Sequence, residues 1–187
     1  MVEGREIPLP GRWVLDPVHS QVQFVARHMM VSKVRGFFRE LEGTLDIDEA
    51  PELSRVEVTI QAASIDTGDA TRDEHLRSPD FLDVQRYPEI TYRSVRVQLG
   101  DGGKWHVAGL LTIRDVTQPV PLTVEFCGVN RDPWGKIRAG FLATTEINRD
   151  DFDITWNQAL ETGGFLVGKG VKIEIDAEAV RDDDSDH

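Results

Sequence analysis

Residues 55–62 read Arg-Val-Glu-Val-Thr-Ile-Gln-Ala. Polar and apolar side chains alternate at every position, and successive side chains of a β-strand point to opposite faces of the sheet. The segment therefore predicts a strand with one face in an apolar interior and the other in water. Similar alternation recurs in residues 20–27, 37–47, 90–99, 104–113, 120–126, 136–147 and 171–180.

The number and spacing of these segments predict the fold class. About eight long strands joined mostly by short turns are typical of an antiparallel barrel or sandwich. Small residues on the inward faces favour the barrel, because they leave volume that a packed two-sheet core would fill: Gly43, Gly109, Ala139 and Ala143. We therefore predict an all-β fold, an antiparallel eight-stranded lipocalin-like barrel whose lumen can hold one small ligand.

One strand segment has an irregular phase. Between Tyr92 and Val95 the alternation slips by one residue, as a β-bulge would cause. Strands of about ten residues at ~3.3 Å each, tilted by ~40°, give a barrel roughly 25 Å high. A lumen of that height would suit a long, thin, apolar molecule.

Residues 66–81, Asp-Thr-Gly-Asp-Ala-Thr-Arg-Asp-Glu-His-Leu-Arg-Ser-Pro-Asp-Phe, interrupt the strand pattern. They carry two consecutive helix-start signals. Thr71 with Glu74 three residues later forms a capping box, which predicts a helix beginning directly after Thr71. Ser78 before Pro79 repeats the signal with a serine N-cap and a proline at the first helical position. We expect two short helices that plug one end of the barrel.

Length and composition bound the domain organisation and the partners. The chain has 187 residues, 40% of them hydrophobic and 29% charged, which predicts one domain over residues 13–180. Residues 1–12 are expected to form an N-terminal arm, and residues 181–187 a disordered acidic tail. The net charge of −12 argues against a nucleic-acid partner. Because no apolar run resembles a membrane span or a secretion signal, we expect a cytoplasmic protein.

Enzyme signatures are missing from the sequence. There is no Gly-x-Ser-x-Gly elbow, no phosphate-binding glycine loop, no paired-cysteine metal spacing and no His-Glu-x-x-His. We therefore predict no catalytic residues, no metal and no cofactor. Two alternatives stay open: a barrel enzyme acting on a lipid or small apolar molecule with His28 or His75 as acid or base, and a structural protein whose lumen is only core.

Two arginines next to aspartates stand at predicted helix starts. They are Arg72 before Asp73 and Arg149 before Asp150. One interpretation is local capping and ion pairing that fastens irregular segments to the barrel rim. The other is that an arginine at the barrel mouth holds an anionic head group, for which a planar guanidinium is well suited.

Several short motifs occur in a fixed order along the chain: Asp16-x-x-His19-Ser20, Gly36-Phe37, Ser64-Ile65-Asp66-Thr67, Arg72-Asp73-x-His75-Leu76-x-Ser78-x-x-Phe81, Tyr87-Pro88-x-Ile90, Gly109-x-Leu111-Thr112-Ile113 and Ile147-Asn148-Arg149-x-Asp151-Phe152. Together they resemble the YceI-like family from about residue 13 to residue 180. The resemblance implies a lipocalin-like barrel that binds polyisoprenoid or other long-chain amphiphilic lipids in its lumen, often as a homodimer. Many members are secreted or periplasmic, whereas no signal segment is seen here. Asp153 stands where the family often has glycine, and Lys169 is a second departure.

The strand pattern and the resemblance together predict the function. We expect a non-enzymatic binding or carrier protein that holds a long-chain isoprenoid or fatty lipid in the lumen, with transient membrane contact and a homodimer as further expectations. The polar head group should sit near the plug. The candidate ligand-binding residues are His28, Phe38, Arg72, His75, Leu76, Phe81, Ala139, Phe141, Ala143, Arg149, Phe152 and Trp156.

Overall fold

A computed structural model describes residues 8–182, so most of the predicted arm and tail lies outside the described residues. The first strand begins at Gly11, two residues before the predicted start of the domain, and the last strand includes Arg181, the first residue of the predicted tail. The strands and the helix are β1 Gly11–Leu15, β2 Gln21–His28, β3 Ser32–Phe38, β4 Leu41–Ile47, β5 Arg55–Gln61, β6 Ile65–Asp66, α1 Ala70–Arg77, β7 Glu89–Leu99, β8 Trp105–Ile113, β9 Val116–Pro119, β10 Leu122–Arg131, β11 Ile137–Asn148 and β12 Val167–Arg181. Short 3₁₀ turns cover Pro51–Leu53, Ala62–Ser64, Asp101–Gly103 and Arg149–Phe152.

The strands close into an eight-stranded antiparallel barrel, which confirms the predicted fold class. Two barrel strands are each made of two pieces, β1 with β2 and β3 with β4. β5, β7, β8, β10, β11 and β12 follow in sequence order, each paired with its predecessor. The barrel closes because β12 pairs with both β2 and β1. The segments 62–88 and 148–166 lie at the same end, which we call the plug end.

The break between β1 and β2 explains the Asp16-x-x-His19-Ser20 motif. Leu15 pairs with Ala179 and Gln21 with Asp176, so the β1–β2 segment is three residues longer here than β12. The Ser20 hydroxyl fills the gap in the ladder, because it donates to the Glu178 carbonyl at 3.1 Å and accepts from the Glu178 N–H at 3.0 Å. Ser20 of this motif therefore replaces the backbone hydrogen bonds that β12 loses between β1 and β2.

A charged cluster braces the same break from outside the barrel. The Arg138 guanidinium binds Asp16 at 2.7 Å, Asp132 at 2.8 Å and the Glu178 carboxylate, and His19 lies 3.0 Å from Asp16. The Arg138 guanidinium therefore supplies the positive charge that balances these three carboxylates. Although burial raises the pKa of the Asp16 carboxyl, hydrogen bonds from Arg138, from His19 and from backbone N–H together hold that pKa well below its usual range.

Removing the arginine should destabilise the barrel in a pH-dependent manner. We expect Arg138→Gln to lower the free energy of unfolding by ~1–2 kcal/mol at pH 7. A carboxyl whose pKa is lower in the folded state stabilises the fold above its unfolded pKa and loses this contribution as the pH falls. Urea unfolding should therefore show a difference between wild type and variant that shrinks below about pH 4. Arg12→Gln, which removes exposed pairs with Asp46 and Asp182, is the control and should change little. If Arg138→Gln lowered the free energy of unfolding by the same amount at pH 7 and below about pH 4, the result would contradict a stabilising bond between Arg138 and the ionised Asp16.

The connection between β2 and β3 differs from its prediction. Because residues 28–34 break the strand alternation, the sequence predicts a helical turn there, whereas the structure has a tight hairpin. Met29 and Met30 occupy the two central turn positions with φ of 50° and 61°. Such a turn normally carries Asn-Gly, because both central residues need a positive φ. Two methionines give no such signal, which is why the hairpin was missed.

The plug contains one α-helix where two were predicted. Within residues 8–182, α1 is the only α-helix, and the segment after Ser78 is a series of turns. Ser78 is the C-cap of α1, since its N–H donates to the His75 carbonyl. The N-cap is Asp69, whose carboxylate accepts the Arg72 N–H at 2.9 Å. The capping box of Thr71 and Glu74 is therefore wrong by two residues.

The cap assignment can be tested by stability. Asp69→Ala should lower the free energy of unfolding by ~1 kcal/mol, because one N–H of the first helical turn loses its acceptor. Thr71→Ala lies inside the helix and should change stability by less than about 0.5 kcal/mol. Urea midpoints of the two variants separate the assignments. A larger loss of stability in Thr71→Ala than in Asp69→Ala would instead support the capping box of Thr71 and Glu74.

The small inward residues were only partly interpreted correctly. A Cβ on Gly109 would lie 2.2 Å from the Tyr92 hydroxyl oxygen, and one on Gly43 would lie 2.7 Å from the Glu57 carbonyl oxygen. Both glycines therefore accommodate close neighbours. Ala139 belongs to a packed apolar cluster with Trp13 and Ala179.

None of the helices within residues 8–182 has the length and apolar character needed to cross a membrane.

Candidate functional site

The barrel encloses a cavity of ≈ 300 Å³, which we call the lumen. This volume is at the lower end of the range for small-molecule pockets, about 300–1,000 Å³. Every barrel strand contributes to its wall, and the contributing side chains are overwhelmingly aliphatic or aromatic. Representative wall residues are Leu15, Val22, Phe24, Leu45, Ile60, Leu111, Val124 and Ile175.

Polar side chains on the lumen wall are few, and those of Tyr92 and Ser54 are hydrogen-bonded to the backbone. The Tyr92 hydroxyl donates to the Val120 carbonyl at 3.0 Å, and burial raises the pKa of that hydroxyl above its ordinary value. Towards the end opposite the plug, the Ser54 hydroxyl accepts the Asp48 N–H at 3.0 Å. Since only a few polar groups interrupt this wall, the lumen suits an apolar chain.

Arg149 is the charged group on the lumen wall at the plug end, and only 5% of its surface is exposed. It begins the 3₁₀ turn after β11, where the Asn148 side chain accepts the Asp150 N–H at 3.0 Å. Its guanidinium donates only to backbone carbonyls: Gly168 at 2.9 Å, Ile154 and Trp156 at 2.8 Å each, and Val167 at 3.2 Å. These bonds tie together three separate parts of the plug end.

No carboxylate within residues 8–182 forms a salt bridge with Arg149, although the negative charge of the neighbouring Asp150 favours its protonated form. Asp150, which the sequence suggested as its ion-pair partner, instead binds Lys169 at 2.6 Å. Burial lowers the pKa of Arg149, although an arginine keeps its proton at physiological pH. A buried cation whose hydrogen bonds all go to carbonyl oxygens is a favourable neighbour for an anionic or strongly polar head group.

Arg72 has a different environment. Its guanidinium donates to the Thr67 hydroxyl at 2.7 Å and to the Thr67 carbonyl at 3.1 Å. Asp73, its predicted ion-pair partner, is buried and accepts the Thr67 hydroxyl at 2.6 Å. Arg72 therefore shapes the entry to α1 and does not line the lumen.

An aromatic cluster covers the plug. The ring of His75 makes edge contacts with Trp156 at 4.6 Å and with Phe81 at 5.1 Å between centroids. The imidazole Nε2 lies 2.8 Å from the Asp80 carboxylate. Phe81 faces the lumen, whereas His75 and Trp156 stand behind it.

The structure divides the twelve predicted ligand-binding residues into two equal groups. The lumen wall includes Phe38, Leu76, Phe81, Phe141, Ala143 and Arg149. The other six are not on the wall. His28 ends β2 beside the hairpin turn, Ala139 packs with Trp13 and Ala179, and Phe152 is buried at the end of the 3₁₀ turn after β11. Arg72, His75 and Trp156 complete this group.

Two kinds of residue were missed by the sequence interpretation. Most wall residues come from the inward faces of the strands, and the alternation pattern could have nominated them individually. The second kind comprises side chains that hold the plug in place through hydrogen bonds to backbone carbonyls, and no pattern in the sequence indicates them. Arg77 donates to the Ala63 and Ile65 carbonyls at 2.8 and 2.7 Å, and Gln118 donates to the Asp151 carbonyl at 2.9 Å.

Comparison with known proteins supports the family resemblance. Residues 13–179 match the YceI-like domain. A UPF0312 protein of Ectopseudomonas mendocina is 42% identical over 138 residues, which are 73% of this chain and 72% of that protein. The crystal structure of Burkholderia cenocepacia BcnA has a TM-score of 0.72 and 26% identity, covering 88% of this chain and 98% of the other.

A further neighbour shows the fold alone. A polyisoprenoid binding domain from Saccharophagus degradans, implicated in plant cell wall breakdown, has a TM-score of 0.64 at 16% identity, covering 90% of this chain and 98% of that domain. The family match and the curated relative extend over most of the barrel. The chain therefore belongs to the YceI-like domain family.

Proposed function

We propose that the protein binds one long-chain amphiphilic lipid, a polyisoprenoid foremost, with its apolar chain in the lumen. The observation that carries this proposal is an interior cavity whose wall is apolar and comes from every barrel strand. Burial of apolar surface contributes about 25 cal/mol per Å², so such a wall favours a hydrocarbon guest over a polar one.

The shape of the wall favours a chain over a compact ligand. On β11 the wall residues Phe141, Ala143, Thr145 and Ile147 follow one another at alternate positions. They span six residue steps, which is about 20 Å along the strand. An extended chain can contact all of them at once. The polyisoprenoid binding domain of Saccharophagus degradans has the same fold, which supports this ligand class.

The head group is proposed to lie at the plug end beside Arg149. This guanidinium is on the wall, carries a charge without a carboxylate partner within residues 8–182, and is fixed by four carbonyls. A phosphate or other anionic head would therefore find an ordered positive charge there. The catalytic alternative gains no support from the geometry, because neither His28 nor His75 is on the lumen wall.

Native mass spectrometry of the purified protein, before and after organic extraction, tests the binding of a resident lipid. We expect a population that carries one additional mass matching a long-chain lipid, and its loss after extraction. Incubation of the extracted protein with geranylgeranyl phosphate should restore a complex with one lipid per chain. A protein that carries no lipid and takes up none would overturn the proposal.

A further inference from the structure

The hairpin turn between β2 and β3 exposes a group of large apolar side chains at the plug end. Met29, Met30 and Val31 are 44%, 65% and 83% exposed. Phe165, which is 54% exposed, belongs to the adjoining segment 148–166 at the plug end. The two segments are in contact, because the Met29 N–H donates to the Leu166 carbonyl at 2.8 Å. We call Met29, Met30, Val31 and Phe165 the apolar tip.

The backbone of this turn is strained by the residues that occupy it. Met29 and Met30 both have a positive φ, which side chains other than glycine and asparagine adopt at a cost. Met30 packs against the segment 148–166, since a Cβ added to Gly164 would lie 2.5 Å from the Met30 sulfur. The fold therefore holds two methionines where smaller residues would be more stable. Such strain is typical of positions with a role beyond folding.

The strands below the apolar tip carry positive charge on an acidic protein. Residues 21–39 contain four arginines and lysines and no acidic residue, although the whole chain has a net charge of −12. Phe24 and Ala26 face the lumen, so Arg27 faces outward. Lys33 lies opposite Arg27 in the ladder and shares its outer face.

Two further cations extend this outer face. Val25 pairs with Arg35 on one side and with Lys172 on the other. We call Arg27, Lys33, Arg35 and Lys172 the basic band, and all four residues are exposed. No carboxylate within residues 8–182 lies within 4.0 Å of their charged nitrogens. The nearest acidic positions by register and sequence are Glu146, opposite Lys172, Glu174, two residues further along β12, and Asp66, opposite Phe37 on β3.

We propose that the apolar tip and the basic band dock the barrel on an anionic lipid surface. Apolar side chains beside a group of cations on one face fit the boundary between acyl chains and head groups, with the cations at the level of the phosphates. The acidic remainder of the protein would be repelled by the same surface, which selects this orientation. Ala26 and Val167 adjoin the tip and line the lumen, so docking would bring the plug end to the bilayer. The docking surface goes beyond lipid binding in the lumen, because vesicle binding can be measured whatever the lumen contains.

Vesicle flotation with the full chain tests the proposal. We expect binding to vesicles that mix phosphatidylcholine with phosphatidylglycerol, weakening as salt is raised, and little binding to phosphatidylcholine alone. The double variant Met29→Asn with Met30→Gly places the preferred residues in the turn. It should raise the melting temperature and still weaken vesicle binding by about tenfold or more. Trp134→Asp, at an 83% exposed site on the opposite end, is the control and should leave binding unchanged.

A pair of charge-reversal variants tests the basic band. Arg27→Glu, Lys33→Glu and Arg35→Glu together should weaken binding by about a hundredfold or more, since each cation near an anionic surface contributes ~1 kcal/mol. The same reversal on other faces, at Arg96, Lys104 and Lys136, makes an equal change in net charge. We expect it to have a much smaller effect.

Several results would overturn the docking surface. These are equal losses from the two reversal sets, unchanged binding in the Asn-Gly variant, equal binding to neutral vesicles, or loss of binding in Trp134→Asp. A protein that ignores vesicles but forms a homodimer abolished by the Asn-Gly substitution would assign the apolar tip to an interface between copies.

Discussion

Replacing Ala143 with tryptophan is expected to reduce lipid affinity by nearly two orders of magnitude while leaving the barrel folded. Ala143 is on the lumen wall in one row with Val124 and Ile175. An indole at this position would occupy volume that the guest needs. Displacing about 100 Å² of buried lipid surface would cost the complex ~2.5 kcal/mol. The melting temperature of the lipid-free protein should change little, because the indole enters existing space.

Two controls make the result specific to the lumen. Thr144→Trp introduces the same side chain one residue along β11 on the exposed face, and it should leave both affinity and stability nearly unchanged. Ala139→Trp introduces it into the packed cluster, and it should destabilise the fold by ~1–3 kcal/mol or more. If Ala143→Trp unfolds like Ala139→Trp, or binds lipid like wild type, Ala143 does not face a ligand space.

Loss of the Arg149 guanidinium is expected to have the largest effect on stability. Arg149→Met would remove four hydrogen bonds from the plug end, at a cost of about 3–5 kcal/mol, and the Val167 carbonyl would keep only its bond from the Asn157 amide at 2.7 Å. Arg72→Met removes two bonds from an exposed guanidinium, and it should cost about 1 kcal/mol. Denaturant unfolding of both variants measures the difference.

Arg149→Lys separates the charge of the arginine from its bracing role. An ammonium keeps the positive charge but cannot reach four carbonyls in one geometry. We expect it to lose stability while still preferring geranylgeranyl phosphate to geranylgeraniol. In Arg149→Met, affinity for the phosphate should fall by ~1.5–3 kcal/mol and affinity for the alcohol much less. Equal losses for the two lipids would show that Arg149 braces the plug and does not meet a head group.

The barrel could be predicted from the sequence because the strand pattern is local and recurs in each strand. Strand alternation has a period of two that survives whatever the tertiary contacts are. The phase slip after Tyr92 is confirmed as a register shift between Ser94 and Arg96, with Val95 turned outward. Family resemblance agreed with this pattern, and the match over residues 13–179 confirmed it.

The candidate site was less accessible because its features depend on which residues meet across the barrel. Alternation alone could not show that the Tyr92 hydroxyl fills the space beside Gly109. Nor could it show that four carbonyls from distant segments converge on Arg149, since these are backbone groups without a sequence signature. The helix start failed for a different reason: Asp69 and Thr71 are both good caps, and local propensity does not choose between neighbours.

The central claim is that the lumen buries one long apolar chain, and calorimetric titration tests it most directly. The extracted protein should be titrated with geranylgeranyl phosphate, below its micellar concentration, at several temperatures. We predict saturable binding of one lipid per chain with a negative heat-capacity change, which is the robust marker of apolar burial. Binding without a heat-capacity change, or no saturable binding at all, would contradict the claim.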